Sequence, residues 1–189
     1  PVLPAASKKE GHAYMAAYIA HQAAVAGVLR VDHIMALARL YWIPRGAGKH
    51  DGTYVTYPAD ELFAILSLES HRHECEVVGE NLGTVPAEIG DALPRHGIRG
   101  MFLSAFEASN KAPKPPRREQ VALIGTHDTP TFAGWVAGSD IDERIRMGLL
   151  ANAAAPMERK KRRQEVKRLA AAVGGDSRDL PGFLARLLR

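Results

Sequence analysis

Short apolar segments alternate with helix-forming segments along this chain, and this alternation restricts the possible folds more than any other feature of the sequence. The predicted strands are residues 28–34, 76–80, 101–106 and 121–126, and residues 53–57 are also β-prone. The predicted helices are residues 11–26, 59–72, 84–96 and most of the chain from residue 140 to 189. Such an order is typical of βαβ units, in which parallel strands form a sheet with helices covering both faces.

Two α/β architectures with parallel strands fit this order of elements: an open doubly wound sheet and a (β/α)8 barrel. None of the four predicted strands is followed by a glycine-rich phosphate loop, which weakens the nucleotide-binding form of the open sheet. A complete barrel needs about 250 residues, whereas this chain has 189. We therefore expect residues 1–189 to form one part of a barrel domain, with a helical segment from about residue 140 to 189.

Composition excludes several classes of protein. With 46% apolar and 24% charged residues, the chain is not disordered as a whole, and no apolar run is long enough to span a membrane. The net charge is only +4, and Lys160–Arg163 has acidic neighbours, so we predict a solvated helix face and no nucleic-acid partner. Cys75 is the only cysteine, as expected for a reducing, cytoplasmic location. A first residue that is Pro1 indicates truncation or processing.

Three acidic residues follow predicted strands at their carboxyl ends, namely Asp32, Glu80 and Asp128. Catalytic groups gather at this end of the strands in barrel enzymes. Arg30 shares a strand face with Asp32, because residues two apart point the same way. A neighbouring cation favours an ionised carboxylate, as a nucleophile requires, whereas the apolar residues before Glu80 favour a protonated carboxyl group. Two neighbouring carboxyl groups whose pKa values are shifted in opposite directions are typical of an acid paired with a base or nucleophile.

A purely structural interpretation of these carboxylates competes with the catalytic one. A single aspartate at a strand end often caps a helix or forms a salt bridge within a loop. Three acidic residues on three strands, one beside Arg30 and one preceded by His127, fit that interpretation less well. The pattern alone supports both a structural role and an active site with two carboxylates.

Several longer motifs occur in a fixed order and make the sequence recognisable. They are Leu29–His33, Tyr41–Pro44, Gly52–Pro58, Val78–Pro86, Gly125–Pro130 and Ala133–Trp135. As a set they closely resemble the 4-α-glucanotransferases, also called amylomaltases or disproportionating enzymes, which belong to the α-amylase clan. The resemblance covers about residues 11–189. It implies that the chain supplies about strands four to seven of a (β/α)8 barrel, with their helices.

The resemblance also implies a role for each matching residue in a retaining double displacement on α-1,4-glucans. Asp32 matches the nucleophile, Glu80 the general acid/base, and Asp128 the carboxylate that stabilises the transition state. The matching substrate-binding residues are Arg30, His127 and Tyr54. The family usually has aspartate where Asn81 stands in this sequence.

The implied substrates are α-1,4-glucans and maltooligosaccharides, with glucose as an acceptor. The mechanism requires no cofactor, and we interpret His71, His73 and Cys75 as the end of a helix, not as metal ligands. We expect a C-terminal fragment of a longer enzyme, inactive alone and prone to self-association through unpaired strand edges. The alternatives are a non-catalytic fragment for glucan binding or assembly, and an α-glucan hydrolase of the same clan.

Overall fold

The computed structural model describes residues 1–109 and 112–187. Its strands are β1 (Val28–Val31), β2 (Arg39–Trp42), β3 (Thr53–Thr56), β4 (Glu76–Gly79), β5 (Gly100–Leu103) and β6 (Gln120–Leu123). Its α-helices are α1 (Pro4–Lys9), α2 (Ala13–Ala23), α3 (Ala59–Arg72), α4 (Ala87–Arg95), α5 (Ser104–Glu107), α6 (Phe132–Ala137), α7 (Ser139–Arg146), α8 (Ala155–Ala172) and α9 (Leu180–Leu187). Two 3-10 turns cover Ile34–Leu37 and Asn152–Ala154.

The sheets combine parallel and antiparallel pairing. β1 and β4 are parallel, with Val28 opposite Glu76 and Val31 opposite Gly79. A further parallel bridge joins Val78 to Arg99, directly before β5, and β5 pairs with β6. The antiparallel hairpin of β2 and β3 lies in the segment that follows β1. The described residues therefore form a mixed α/β fold with small sheets, and they do not close a barrel.

Most predicted elements are confirmed, with corrections at their ends. Helix α3 has the predicted bounds, and Asp60 and Glu61 lie in its first turn, where the helix dipole favours negative charge. The strand predicted over 101–106 is wrong beyond Leu103, because helix α5 begins at Ser104. The strand predicted over 28–34 ends at Val31, and a 3-10 turn takes over at Ile34. Sequence analysis did not predict β2, α1 or α6.

The chain divides into two compact units. The first unit comprises residues 1–101 and 118–121, and the second comprises residues 102–117 and 122–189. In the first unit, Phe63 and Leu66 of α3 pack in one buried cluster with Ile34, Val77 and Leu93. Burying each of these large side chains stabilises the fold by about 1.5–3 kcal/mol. This apolar cluster lies beneath the strands that carry Asp32 and Glu80.

The second unit has a smaller core that combines aromatic packing with a charged pair. Trp135 and Phe183 are buried, and Phe183 meets the ring of Phe132 edge-on at 5.2 Å. Arg162 donates two hydrogen bonds to the carboxylate of Asp140, at 2.7 and 2.8 Å. These bonds lower the pKa of Asp140 below its ordinary value. The predicted solvated face of α8 is therefore wrong for Arg162, which turns toward the core and leaves 13% of its side chain exposed.

Among the helices that the structure describes, none combines the length and the apolar character needed to cross a membrane.

Candidate active site

Asp32 and Glu80 each follow directly after one of two hydrogen-bonded parallel strands. Continuing the register beyond Val31 and Gly79 places Asp32 opposite Glu80. The N–H of Glu80 donates to the carbonyl of Val31 at 2.8 Å, so the pairing extends to the candidate residues themselves. Neighbouring strands lie about 4.7–4.9 Å apart. The structure therefore brings these two predicted residues together at the carboxyl edge of β1 and β4.

Arg30 lies beside Asp32, as the strand periodicity predicts. Its Nη2 atom is 2.6 Å from Asp32 Oδ1, and 37% of the arginine side chain and 68% of the aspartate side chain are exposed. Arg30 lies on β1 and Asp32 directly follows it, so the guanidinium group lies against the carboxylate at the strand end. The pair leaves the aspartate accessible from solvent.

Main-chain donors hold the carboxylate of Glu80. The N–H of His33 donates to Oε2 at 3.0 Å, and the N–H of Leu82 donates to Oε1 at 2.8 Å. Glu80 is half-buried, so its surroundings are not the purely apolar ones that the sequence indicated. Because each oxygen has its own donor, the orientation of the carboxylate is fixed by backbone on two sides.

His33 reaches its position through an uncommon backbone conformation. Its φ angle is +46°, in the left-handed region that residues other than glycine adopt only occasionally. The strand predicted over residues 28–34 is therefore wrong at His33, since β1 has already ended at Val31. This turn directs the His33 N–H at Glu80. Residues held in this region are strained and concentrate at functional sites.

Tyr54 lies on the hairpin of the first unit and presents an exposed aromatic surface. Its ring meets that of Tyr41 edge-on at 5.2 Å, and the guanidinium carbon of Arg39 lies 4.6 Å above it. Tyr54 remains 58% exposed. Tyr41, which sequence analysis did not select, contacts the Tyr54 ring. An exposed tyrosine of this kind suits stacking against a sugar ring.

Asp128 and His127 lie in the second unit, in the turn that follows β6. Thr129 Oγ1 accepts a hydrogen bond from the N–H of Thr126 at 2.8 Å and donates to its carbonyl at 2.9 Å. The carboxylate of Asp128 pairs with the His127 ring at 3.2 Å, and the two side chains are 77% and 68% exposed. The structure describes this turn within its own unit, so its convergence with Asp32 and Glu80 stays a prediction.

The donors to Glu80 are the functional groups that sequence analysis missed. His33 and Leu82 act through N–H groups, which nearly every residue carries, so side-chain identity gives no signal for them. The interpretation of His71, His73 and Cys75 as the end of a helix is confirmed, because α3 ends at Arg72 and His73 is its C-cap residue. Within residues 1–109 and 112–187, no three His, Cys, Asp or Glu side chains are grouped to hold a metal ion.

Most enzymes that hydrolyse glycosidic bonds use two Asp or Glu residues on either side of the scissile bond, and Asp32 and Glu80 at one sheet edge fit that requirement. Comparison with known proteins narrows this class, because the profile of glycoside hydrolase family 77, described as 4-alpha-glucanotransferase, matches residues 1–183. The chain belongs to the 4-α-glucanotransferase family.

Curated relatives share this description. The chain is 44% identical over 129 residues to a 4-alpha-glucanotransferase of Haemophilus influenzae, covering 66% of this chain and 18% of the relative. It is 41% identical over 135 residues to one from Mycobacterium bovis, covering 67% and 19%. The chain thus spans about a fifth of the length of the curated relatives that it matches.

Solved structures agree with the family assignment. Amylomaltase from Corynebacterium glutamicum superposes with a TM-score of 0.81 at 31% identity, covering 98% of this chain and 28% of that protein. Amylomaltase from Streptococcus agalactiae, solved in complex with acarbose, has a TM-score of 0.61 at 21% identity, covering 77% and 31%. The second likeness concerns the fold alone.

Proposed function

We propose that Asp32 and Glu80 are the nucleophile and the general acid/base of a 4-α-glucanotransferase acting on α-1,4-glucans. The observation that carries the proposal is their position at adjacent strand ends, where the Glu80 N–H donates to Val31 and the Glu80 carboxylate accepts from His33. A retaining mechanism needs its two carboxyl groups about 5–5.5 Å apart, which the spacing of neighbouring parallel strands supports.

In the first half-reaction, a carboxylate oxygen of Asp32 attacks the anomeric carbon of the donor glucan. The bond between that carbon and the glycosidic oxygen breaks, and Glu80 gives its proton to the leaving oxygen. The products are a glycosyl ester on Asp32 and a shortened glucan with a free 4-hydroxyl group. Because both carboxyl groups are oriented before the substrate binds, less motion has to be frozen in the transition state.

In the second half-reaction, the Glu80 carboxylate takes the proton from the 4-hydroxyl group of an acceptor glucan. The acceptor oxygen bonds to the anomeric carbon as the ester bond to Asp32 breaks. Two successive inversions leave the α-configuration unchanged. The free Asp32 carboxylate and the protonated Glu80 are thereby restored for the next cycle.

The other matching residues would bind the sugar that reacts. We propose that Asp128 and His127 join Asp32 and Glu80 around one glucose ring, where the Asp128 carboxylate stabilises developing positive charge. Arg30 would orient Asp32, and Tyr54 would stack on a further ring of the glucan. Maltooligosaccharides and glucose are the proposed acceptors.

The fold that we propose for this region is part of a (β/α)8 barrel. In this arrangement β1, β4, β5 and β6 correspond to strands four to seven of one catalytic domain. The parallel β1–β4 pair, the Val78–Arg99 bridge and the β5–β6 pair support this order. The chain spans about a fifth of its curated relatives, so the activity is proposed for the whole enzyme and not for these residues alone. Cytoplasmic location and self-association through strand edges stay predictions.

The test uses a full-length polypeptide that contains this chain, incubated with maltotriose. Transfer conserves the number of glycosidic bonds, so we expect longer and shorter glucans without a net rise in reducing ends. Asp32→Asn and Glu80→Gln should each lower the rate roughly 10³-fold or more. The exposed α4 residues supply matched controls, Asp91→Asn and Glu88→Gln, which should be active.

Each unfavourable result has a distinct meaning. Near-normal rates in either site variant contradict the assigned roles. A rise in reducing ends equal to the loss of substrate identifies a hydrolase that uses the same carboxylates. Glucan binding without any change in chain length identifies a binding module and overturns the catalytic proposal.

A further inference from the structure

The hydrogen-bond ladder between β4 and β5 stops directly beside Glu80. The N–H of Arg99 donates to the carbonyl of Val77 at 3.0 Å, and the N–H of Gly79 donates to the carbonyl of Arg99 at 2.8 Å. In a regular parallel ladder, the next donor, the N–H of Met101, would bond to the carbonyl of Gly79. Instead it donates to Oδ1 of the Asn81 side chain at 2.8 Å.

Asn81 therefore replaces a rung of the sheet with its side chain. The main chain of residues 80–82 is free to turn away from β5 while the Asn81 amide keeps it attached. Gly100 leaves room for this attachment, because a Cβ atom there would lie 3.0 Å from Asn81 Nδ2 and 3.2 Å from Oδ1. A side chain at position 100 would therefore push the Asn81 amide aside by a few tenths of an ångström.

The segment that Asn81 holds also contains the acid/base and one of its donors. Glu80 precedes Asn81, and Leu82, which follows it, donates its N–H to Glu80 Oε1. On the other side, the N–H of His33 donates to Glu80 Oε2. Residues 80–82 are thus attached to the β1 side through the backbone and the carboxylate of Glu80, and to β5 through the Asn81 amide. Releasing the Asn81 contact would loosen the turn that carries the Leu82 N–H, which is one of the two donors that orient the Glu80 carboxylate.

We propose that Asn81 is a positioning residue that sets the orientation of Glu80 for proton transfer. The inference rests on the proposed function, since it assigns Asn81 a role only through Glu80. The contact to Met101 uses the acceptor oxygen of Asn81, so an aspartate at this position can make the same bond without rearrangement. Alanine cannot make it.

The test compares two donor substrates in the full-length enzyme. With maltotriose, Glu80 must protonate the leaving oxygen and then deprotonate the acceptor. With α-maltosyl fluoride and azide it does neither: fluoride leaves as an anion when its bond to the anomeric carbon breaks, and azide then displaces Asp32 to give a glycosyl azide. A residue that acts by orienting Glu80 matters for the first donor and not for the second.

We expect Asn81→Ala to lower kcat/KM for maltotriose by roughly 10²-fold, because small misplacements of a reacting group have effects of that size. Its rate with α-maltosyl fluoride and azide should stay close to that of the unsubstituted enzyme. Asn81→Asp should restore most of the maltotriose activity. Asn152→Ala, at an exposed asparagine of the second unit, is the matched control and should change neither rate.

A second variant covers the case in which Asn81→Ala does not fold. Gly100→Ala leaves the Asn81 side chain intact but displaces it, so we expect the same selective loss on maltotriose, in smaller degree. Equal losses on both donors, or no loss on maltotriose, overturn the role of Asn81. An unsubstituted enzyme that is inactive on both donors overturns the proposed function itself, and with it this role.

Discussion

Glu80 and Asp128 both follow a strand, yet the structure holds their carboxylates in different ways. Main-chain N–H groups on two sides hold the carboxylate of Glu80, and the apolar core of the first unit lies beneath its strand. In the turn of Asp128, a threonine side chain holds the backbone, while the carboxylate is 77% exposed beside His127. The first arrangement fixes the reactive group, and the second fixes only the chain that carries it.

The difference extends to what stabilises each unit near its carboxylate. In the second unit, Thr129 and Pro130 border a cavity of about 190 Å³ whose far wall includes Asp140, Arg162 and Trp135. In the second unit, charged side chains thus help to stabilise the region around the Asp128 turn. Beneath Glu80 in the first unit, packing against Ile34 and Leu93 dominates. We expect loss of charge to damage the second unit most, and added volume to damage the first unit most.

The largest effect should come from removing Arg162. It donates to Asp140 and to the carbonyl of Trp135, and its guanidinium carbon lies 5.1 Å from the centre of the Trp135 ring. Arg162→Ala leaves Asp140 without this partner, so we expect the free energy of unfolding of the second unit to fall by about 3 kcal/mol. Urea unfolding followed by Trp135 fluorescence, in a Trp42→Phe background, measures it.

The exposed neighbour Arg163 provides the matched control, and Arg163→Ala should change the unfolding free energy little. Equal losses of unfolding free energy for the two variants would mean that the Arg162–Asp140 pair does not stabilise the second unit.

A smaller effect is expected from adding one methyl group before each carboxylate turn. At Gly79 a Cβ atom would lie 2.9 Å from Ile34 Cγ1 and 3.2 Å from Leu93 Cδ2, so Gly79→Ala overpacks a core and should destabilise the first unit by about 1–3 kcal/mol. At Gly125 the Cβ atom would lie 2.7 Å from Thr129 Oγ1, so Gly125→Ala should weaken one side-chain hydrogen bond, by about 1 kcal/mol.

Amide hydrogen exchange measured separately in α3 and α6 distinguishes the two substitutions. Gly79→Ala should speed exchange in α3, and Gly125→Ala should leave α3 unchanged. A larger loss of stability from Gly125→Ala than from Gly79→Ala would contradict this comparison. It would mean that the hydrogen-bonded turn before Asp128 tolerates added volume less well than the apolar core beneath Glu80.

The smallest expected effect is a loss of folding stability at low pH. Hydrogen bonds from Arg162 lower the pKa of Asp140, and hydrogen bonds from Lys8 and then His12 lower the pKa of Glu61 in the first unit. A carboxylate whose pKa is lower in the folded state stabilises the fold above its unfolded pKa, and this stabilisation is lost as the pH falls through the folded value. Both units should therefore lose stability below about pH 4.

Because Glu61 is the more exposed of these two carboxylates, its contribution should be the smaller one. Asp140→Asn should flatten the acid limb of the stability profile of the second unit, and Glu61→Gln should flatten that of the first only slightly. Unfolding midpoints measured between pH 3 and pH 7 test this order, and a larger change for Glu61→Gln contradicts it.

Local patterns in the sequence predicted part of this structure and failed at identifiable places. The bounds of α3 and the pairing of Arg30 with Asp32 follow from helix end signals and from the two-residue period of a strand. Strand β3 lies within residues 53–57, which were predicted to be β-prone, but its antiparallel partner β2, only four residues long, was missed. Ser104–Phe106 was predicted as the end of an apolar strand, but Ser104 is buried at the start of a helix.

The candidate site was likewise predicted only in part. The side chains of Asp32 and Glu80 were found from their positions at strand ends, and the structure confirms that these ends are adjacent. The donors to Glu80 were not found, because they depend on the backbone angles of residues 32–34 and 80–82 and not on side chains. The meeting of Asp128 with the other two carboxylates stays a prediction.

The main-chain hydrogen bonds to the Glu80 carboxylate determine which substitutions would disturb it. Every amino acid except proline supplies an N–H group, so most substitutions at positions 33 and 82 keep the donor, although the positive φ of residue 33 disfavours β-branched side chains. An alanine scan therefore leaves both N–H donors in place and tests only the side chains of these residues. Proline scanning, one residue at a time, is the genetic method that would reveal them.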